Sequence, residues 1–63
     1  MRSILDDLRL DECGAYLRMG RNASKASRHR CIRWADEAAR AIHHPYWRRV
    51  AREWVEEAKR LLG

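Results

Sequence analysis

From Cys31 to Leu62 the chain reads CIRWADEAARAIHHPYWRRVAREWVEEAKRLL, and its apolar residues recur with a helical period on both sides of a single proline. Cys31, Ile32, Ala35, Ala38, Ala39 and Ile42 follow the i, i+3, i+4, i+7 rule, which predicts an amphipathic helix with Trp34 at the margin of its stripe. On the opposite face Arg33 and Glu37, and Asp36 and Arg40, stand four apart, the distance at which helical side chains of opposite charge meet. His43 and His44 are expected to close this helix, where a cation suits the dipole. Pro45 stops it and is equally suited to the first position of the next. Beyond Pro45, Trp47, Val50, Ala51, Trp54, Ala58, Leu61 and Leu62 form a second stripe with Val55 at its edge, and the outer face offers Arg49 with Glu53, Arg52 with Glu56 and Glu56 with Arg60.

Helices joined by so short a link pack antiparallel. A turn centred between His44 and Pro45 sets Ala35 opposite Trp54, Ala39 opposite Val50 and Cys31 opposite Ala58, so that large residues face small ones.

Upstream, Ser3 and Asp6 have capping-box spacing, which predicts a helix start. Ile4, Leu5 and Leu8 make an apolar face that Ala15, Tyr16 and Met19 would extend, interrupted by Glu12 and weakened by Gly14. Two readings stay open: one helix, or a break near Leu10 and Asp11 with Asp11 capping a second segment. Gly20 is expected to end the segment in either case. Asn22 or Ser24 then caps the second helix. The fold this describes is an all-α, antiparallel three-helix bundle comprising residues 1–63 as a single domain. A turn centred on Asn22 would set Cys13 level with Cys31, a necessary condition for a disulfide.

Composition supports this class. Ala, Arg, Glu and Leu dominate, Pro occurs once and Phe not at all, which is helix-forming stock. Sixty-three residues bury only about 60% of the surface of the unfolded chain, so stability must draw on apolar burial and helix caps together. No run has the roughly 18 apolar residues of a membrane span, and no apolar signal stretch opens the sequence. Two cysteines are too few for a disulfide framework. Both points lead to an expected cytoplasmic location without membrane association.

Charge is the functional clue. Between Cys13 and Ala35 lie Arg18, Arg21, Lys25, Arg28, Arg30 and Arg33 and no acidic residue, whereas residues 1–12 are net acidic and residues 34–63 nearly balanced; the +5 of the chain resides in the middle. Lys25, Arg28 and Arg30 would oppose the dipole of the second helix. Arg21, Lys25 and Arg28 at i, i+4, i+7 would stack like charges on one stripe. Choices unfavourable to local stability tend to mark function. The six cations, with Trp34 and Tyr46 as aromatic anchors, are therefore the expected partner-binding residues.

Other chemistries find little support in the sequence. Cys13, His29, Cys31, His43 and His44 lack the paired hooks of a structural zinc site. No spacing builds a nucleophile and base pair, and there is no phosphate loop or metalloprotease helix. Neither enzymatic activity nor a metal or cofactor is expected.

In size and makeup, though in no specific motif, the chain is similar to phage or plasmid accessory proteins that inhibit or retune a host machine, anti-CRISPR-type inhibitors among them. The resemblance implies a small regulator that docks on a protein partner with an acidic surface. The alternative is a nucleic-acid binder that lays the Arg21 to Arg33 segment along phosphates, for which an Arg to Lys ratio of twelve to two and the hydroxyls of Ser24 and Ser27 are suited. A homodimer through surplus apolar surface of the first helix, with Leu61 and Leu62, is the structural option that a chain this small invites.

Overall fold

The computed structural model describes residues 3–62, with side chains through Leu61, so the expected place of Leu62 in the third stripe lies outside the described residues. Three helices follow one another: α1 (Ile4–Arg21), α2 (Lys25–Arg40) and α3 (Pro45–Leu62). All three pack on one another, and among the described residues there is no strand. The all-α three-helix bundle expected from the sequence is the architecture observed. Among the described residues no helix is long and apolar enough to cross a membrane.

The start of α1 is set by Ser3, whose hydroxyl accepts from the Asp6 amide at 3.1 Å. No break occurs near Leu10 and Asp11; α1 is a single helix. Nor does Gly20 end it. The helix runs through Gly20 to Arg21, with Asn22 as its C-cap, because Gly20 serves packing rather than a left-handed cap: a Cβ there would sit 3.4 Å from Cys31 Cβ. Ser24 caps α2, accepting from the Ser27 amide at 3.4 Å.

The face that α1 buries is not the one its apolar pattern suggests. Asp6, Leu10, Cys13, Leu17 and Gly20 point inward, while Ile4, Leu5, Leu8 and Met19 face solvent. Asp6 explains the choice. It is 3% exposed, and its two carboxylate oxygens accept from the backbone amides of His43 at 2.9 Å and His44 at 3.0 Å. A buried polar group is tolerated only when so satisfied, and these bonds also satisfy two amides just before α3. Once Asp6 faces inward, the helical period brings Leu10, Cys13 and Leu17 in with it. The two histidines correspondingly lie in the connecting turn, beyond Arg40 and the C-cap Ala41, instead of closing α2 as expected.

All six apolar positions expected of the second helix are buried, although Ile42 lies just beyond the C-cap of α2, and its two expected ion pairs form, Arg33 to Glu37 at 3.9 Å and Arg40 to Asp36 at 3.0 Å. In α3 the stripe is rotated by about 45°, judged from 3.6 residues per turn. Ala51 and Val55 are fully buried, with Trp47 and Ala58 packed against the core. Val50 is only half-buried and Trp54 is exposed. The large-on-small pairs centred on Trp54 and Val50 are therefore replaced by a core of Ala35, Ala38, Ala39 and Ile42 with Ala51 and Val55. Small residues on both helices let them approach closely, and a tryptophan does not fit between them. On the outer face of α3 the expected i,i+4 pairs do not form; Lys59 meets Glu56 at 3.5 Å instead.

The hydrogen bond from the His43 amide holds the Asp6 carboxyl below its ordinary value of 3.8; burial opposes that shift and the His44 amide adds to it. A lowered folded-state pKa gives stability that is complete above the unfolded value and lost as pH falls through the folded one. We expect the thermal midpoint of the wild type, followed by circular dichroism, to fall on acidification below about pH 4, and Asp6→Asn to show a shallower acid slope from a lower starting midpoint. Asp11→Ala, at an exposed site, should retain the wild-type slope. Equal slopes for wild type and Asp6→Asn would remove Asp6 as the acid-sensitive tie.

Candidate partner-binding site

The basic residues do not form one stripe. Arg21 is the last residue of α1 and Lys25 the first of α2, so the turn at 22–24 separates them and the expected i, i+4, i+7 alignment with Arg28 does not exist. Arg28 turns inward: it is half-buried, with its Cγ 4.0 Å from the position of a Cβ on Gly20. Arg30 and Arg33 are exposed on α2, Arg33 within reach of Glu37. Arg18, Arg21, Lys25 and Arg30 are exposed and make no ion pair among the described residues.

Two of these cations meet apolar surface. Arg18 and Arg21, with Gly14 and Leu17, form the α1 wall of a groove of about 500 Å³, whose other wall is Trp54, Glu57, Ala58 and Leu61 of α3. The groove follows from local sequence. Gly14 supplies no side chain, so the Trp54 ring comes to 3.9 Å from where its Cβ would stand. The rotation of α3 leaves Trp54 39% and Leu61 68% exposed along this edge. An apolar floor with two cationic arms on one rim can seat apolar side chains of a segment that carries carboxylates beside them.

The expected aromatic anchors lie elsewhere. Trp34 is 40% exposed and packs on Tyr16 of α1, ring centroids 5.7 Å apart at 50°. It covers the α1–α2 seam, one turn from Arg30. Tyr46 sits at the first turn of α3, edge-on to Trp47 at 4.8 Å. That is the end of the bundle away from Arg21 and Lys25, so Tyr46 shares no surface with them. The sequence reading missed Trp54, assigned to the core on period alone; the absent side chain at Gly14 was the signal that could have exposed it.

The cysteines come no closer together. Gly20, not Cys13, is level with Cys31: α1 extends to Arg21 and α2 begins only at Lys25, and the register is centred near Lys25 instead of Asn22. Tyr16 against Trp34 has the same register. Both cysteines are free and buried. Burial, with a smaller effect of the Asp36 charge, pushes the Cys13 thiol up to about 11. Its Sγ lies 3.9 Å from the Ala51 carbonyl, a weak donor contact. Among the described residues no group of three His, Cys, Asp or Glu could hold a metal ion.

Two outcomes follow. In the folded protein neither thiol should react with a thiol-specific chromogen on the minute timescale, whereas both should react in denaturant; fast native labelling at Cys13 would contradict its burial and raised pKa. Gly14→Ala places a methyl at ordinary contact distance, 3.7 Å from Arg18 and 3.9 Å from Trp54, and should stabilise the fold by about 0.5–1 kcal/mol in denaturant titration. A loss of stability would show that the Trp54 ring has no room to accommodate it.

Comparison of the chain with protein-family models, with curated proteins and with solved structures gives no match. The functional reading therefore rests on the geometry of the groove and its charges.

Proposed function

We propose that this chain is a small non-catalytic helical regulator that acts by binding another macromolecule, docking on a partner protein that offers an acidic, apolar-faced segment. The observation that carries the reading is the α1–α3 groove, where the exposed Trp54 and Leu61 lie beside Arg18 and Arg21, two arginines without an ion pair among the described residues. Apolar anchors supply affinity in such contacts, and unpaired rim cations supply orientation and speed of encounter. Its size and composition suit an accessory protein of the phage or plasmid type.

Lys25, Arg30 and Arg33 extend the positive field over the adjoining end and outer face, with Trp34 as a second anchor at the α1–α2 seam. Nucleic acid is the weaker reading. A backbone-tracking surface needs a continuous row of cations, and here Arg28 is folded inward and Arg33 and Arg40 face acids of their own helix.

The test is capture from nuclease-treated host lysate with identification of what is retained. A protein partner should remain bound after nuclease treatment, and should be lost with the Arg18→Glu, Arg21→Glu double variant and with Leu61→Glu, at unchanged thermal midpoint. Arg49→Glu, on the outer face of α3, should bind as the wild type does. Trp34→Ala reports separately on the seam anchor. Retention that vanishes with nuclease, together with duplex affinity that falls steeply with salt, would replace this reading with the nucleic-acid one.

A further inference from the structure

Glycine at position 14 is required by neither the backbone nor the packing. It lies in the interior of α1, and no glycine among the described residues has a positive φ. A Cβ there would stand at ordinary contact distance, 3.7 Å from Arg18 Nη1 and 3.9 Å from the Trp54 ring. Gly20, by contrast, is held against Cys31. A glycine inside a helix costs stability relative to alanine, and a choice that local structure disfavours, with no return in packing, tends to mark function. What the missing side chain leaves is a notch in the floor of the α1–α3 groove, with the Arg18 guanidinium on one side and the Trp54 ring on the other.

The shape of the groove selects the form of what enters it. Its walls run parallel: Asp6 bonds the backbone just before α3, Cys13 Sγ lies 3.9 Å from the Ala51 carbonyl, and Gly14 faces Trp54. The lining extends from Gly14 to Arg21 on α1 and from Trp54 to Leu61 on α3, which at about 1.5 Å per residue is roughly 10 Å, or two helical turns, on each side. An extended segment laid there would find no sheet edge to pair with, since both walls are helices, and its amides would meet the apolar floor unpaired. A helix satisfies its backbone internally and presents apolar side chains at i, i+3 or i+4, and i+7 over the same length.

The charges set the character of its flanks. Arg18 and Arg21 are exposed on the α1 rim and Glu57 on the α3 rim, and none of the three makes an ion pair among the described residues. An occupant with carboxylates on the flank that faces α1 and a lysine or arginine on the flank that faces α3 complements both rims.

We propose, resting on the docking of a partner protein at this groove, that the docked segment is an amphipathic α-helix, acidic on the flank that faces α1, and that Gly14 admits its largest apolar side chain between Arg18 and Trp54. Gly14 is then a specificity-determining residue, and the stability it forgoes is the cost of an open notch.

The experiment is a fluorescence-anisotropy titration of the full chain into a labelled, end-capped peptide of about 18 residues, long enough to be helical, with leucine at i, i+4, i+7 and i+11, glutamate along one flank and lysine along the other. Two companion peptides carry a central proline, which breaks the helix, or lysine in place of every glutamate. The wild type should bind the first peptide in the micromolar range and each companion about tenfold more weakly or worse. Gly14→Ala should weaken the first peptide about tenfold while raising the thermal midpoint of the free protein, opposite signs that a purely structural role for Gly14 does not produce. Leu61→Ala, at an exposed position, should weaken the peptide at unchanged midpoint. Equal affinity for the proline peptide overturns the helical form of the occupant and leaves the docking of an acidic segment standing. Equal affinity for the lysine peptide overturns the charge complementarity, and that docking with it. A first peptide that does not bind up to high micromolar protein overturns the helix proposal, whereas capture from lysate decides the docking itself. Gly14→Ala with unchanged binding, or with weaker binding and a lower midpoint, overturns the role of Gly14.

Discussion

The bundle is organised around one carboxylate. Asp6 belongs to the first turn of α1 but bonds the backbone of the α2–α3 turn, accepting from His43 and His44. In an up-down-up bundle the N-terminal end of α1 and the start of α3 lie together, and no covalent link joins them there. The carboxylate supplies that link without a disulfide. It also fixes the rotation of α1 about its axis, because a group that must reach the turn cannot face solvent. Every other orientation in α1 follows at 100° per residue: Leu10, Cys13 and Leu17 inside, Ile4, Leu5 and Leu8 outside.

Small residues then decide how closely the helices approach. Gly20 lies against Cys31 where a Cβ would make contact at 3.4 Å. Ala35, Ala39 and Ala51 are wholly buried. Close packing of alanines leaves no space for Trp54 in the centre, so it moves to the α1–α3 edge and, with Leu17 and Leu61, floors the groove. The candidate site is in this sense a by-product of the core: the tryptophan that the core excludes is the anchor that the groove presents. The surplus on α1 has the same origin, since choosing the Asp6 face leaves the more apolar one uncovered.

The cations show why a charge count reads differently from a charge map. Six basic residues without an acid among them are visible in any reading of the chain. Their division is not, because it depends on where one helix stops. With α1 extended to Arg21, the arginines at its end serve the α3 side, while Arg28 is drawn in over Gly20 and Arg30 and Arg33 face outward from α2. Three short separations in sequence become three directions in space.

Helix type and order were legible in the sequence, as were the Ser3 cap, the buried positions of α2 and its two ion pairs, whereas the continuity of α1 and the choice of Ser24 over Asn22 as the α2 cap were left open. The legible features depend on interactions within three or four residues, and helical periodicity registers them directly. The inward face of α1, the rotation of α3, the register of Cys13 against Cys31 and the division of the basic patch were decided only by tertiary structure. Each turns on a contact between residues far apart in the chain: Asp6 with His43 and His44, Gly20 with Cys31, Gly14 with Trp54. An apolar period states that a helix has a face to bury, but where a helix has two such faces, as α1 does, the choice belongs to the partner that satisfies the polar group on one of them.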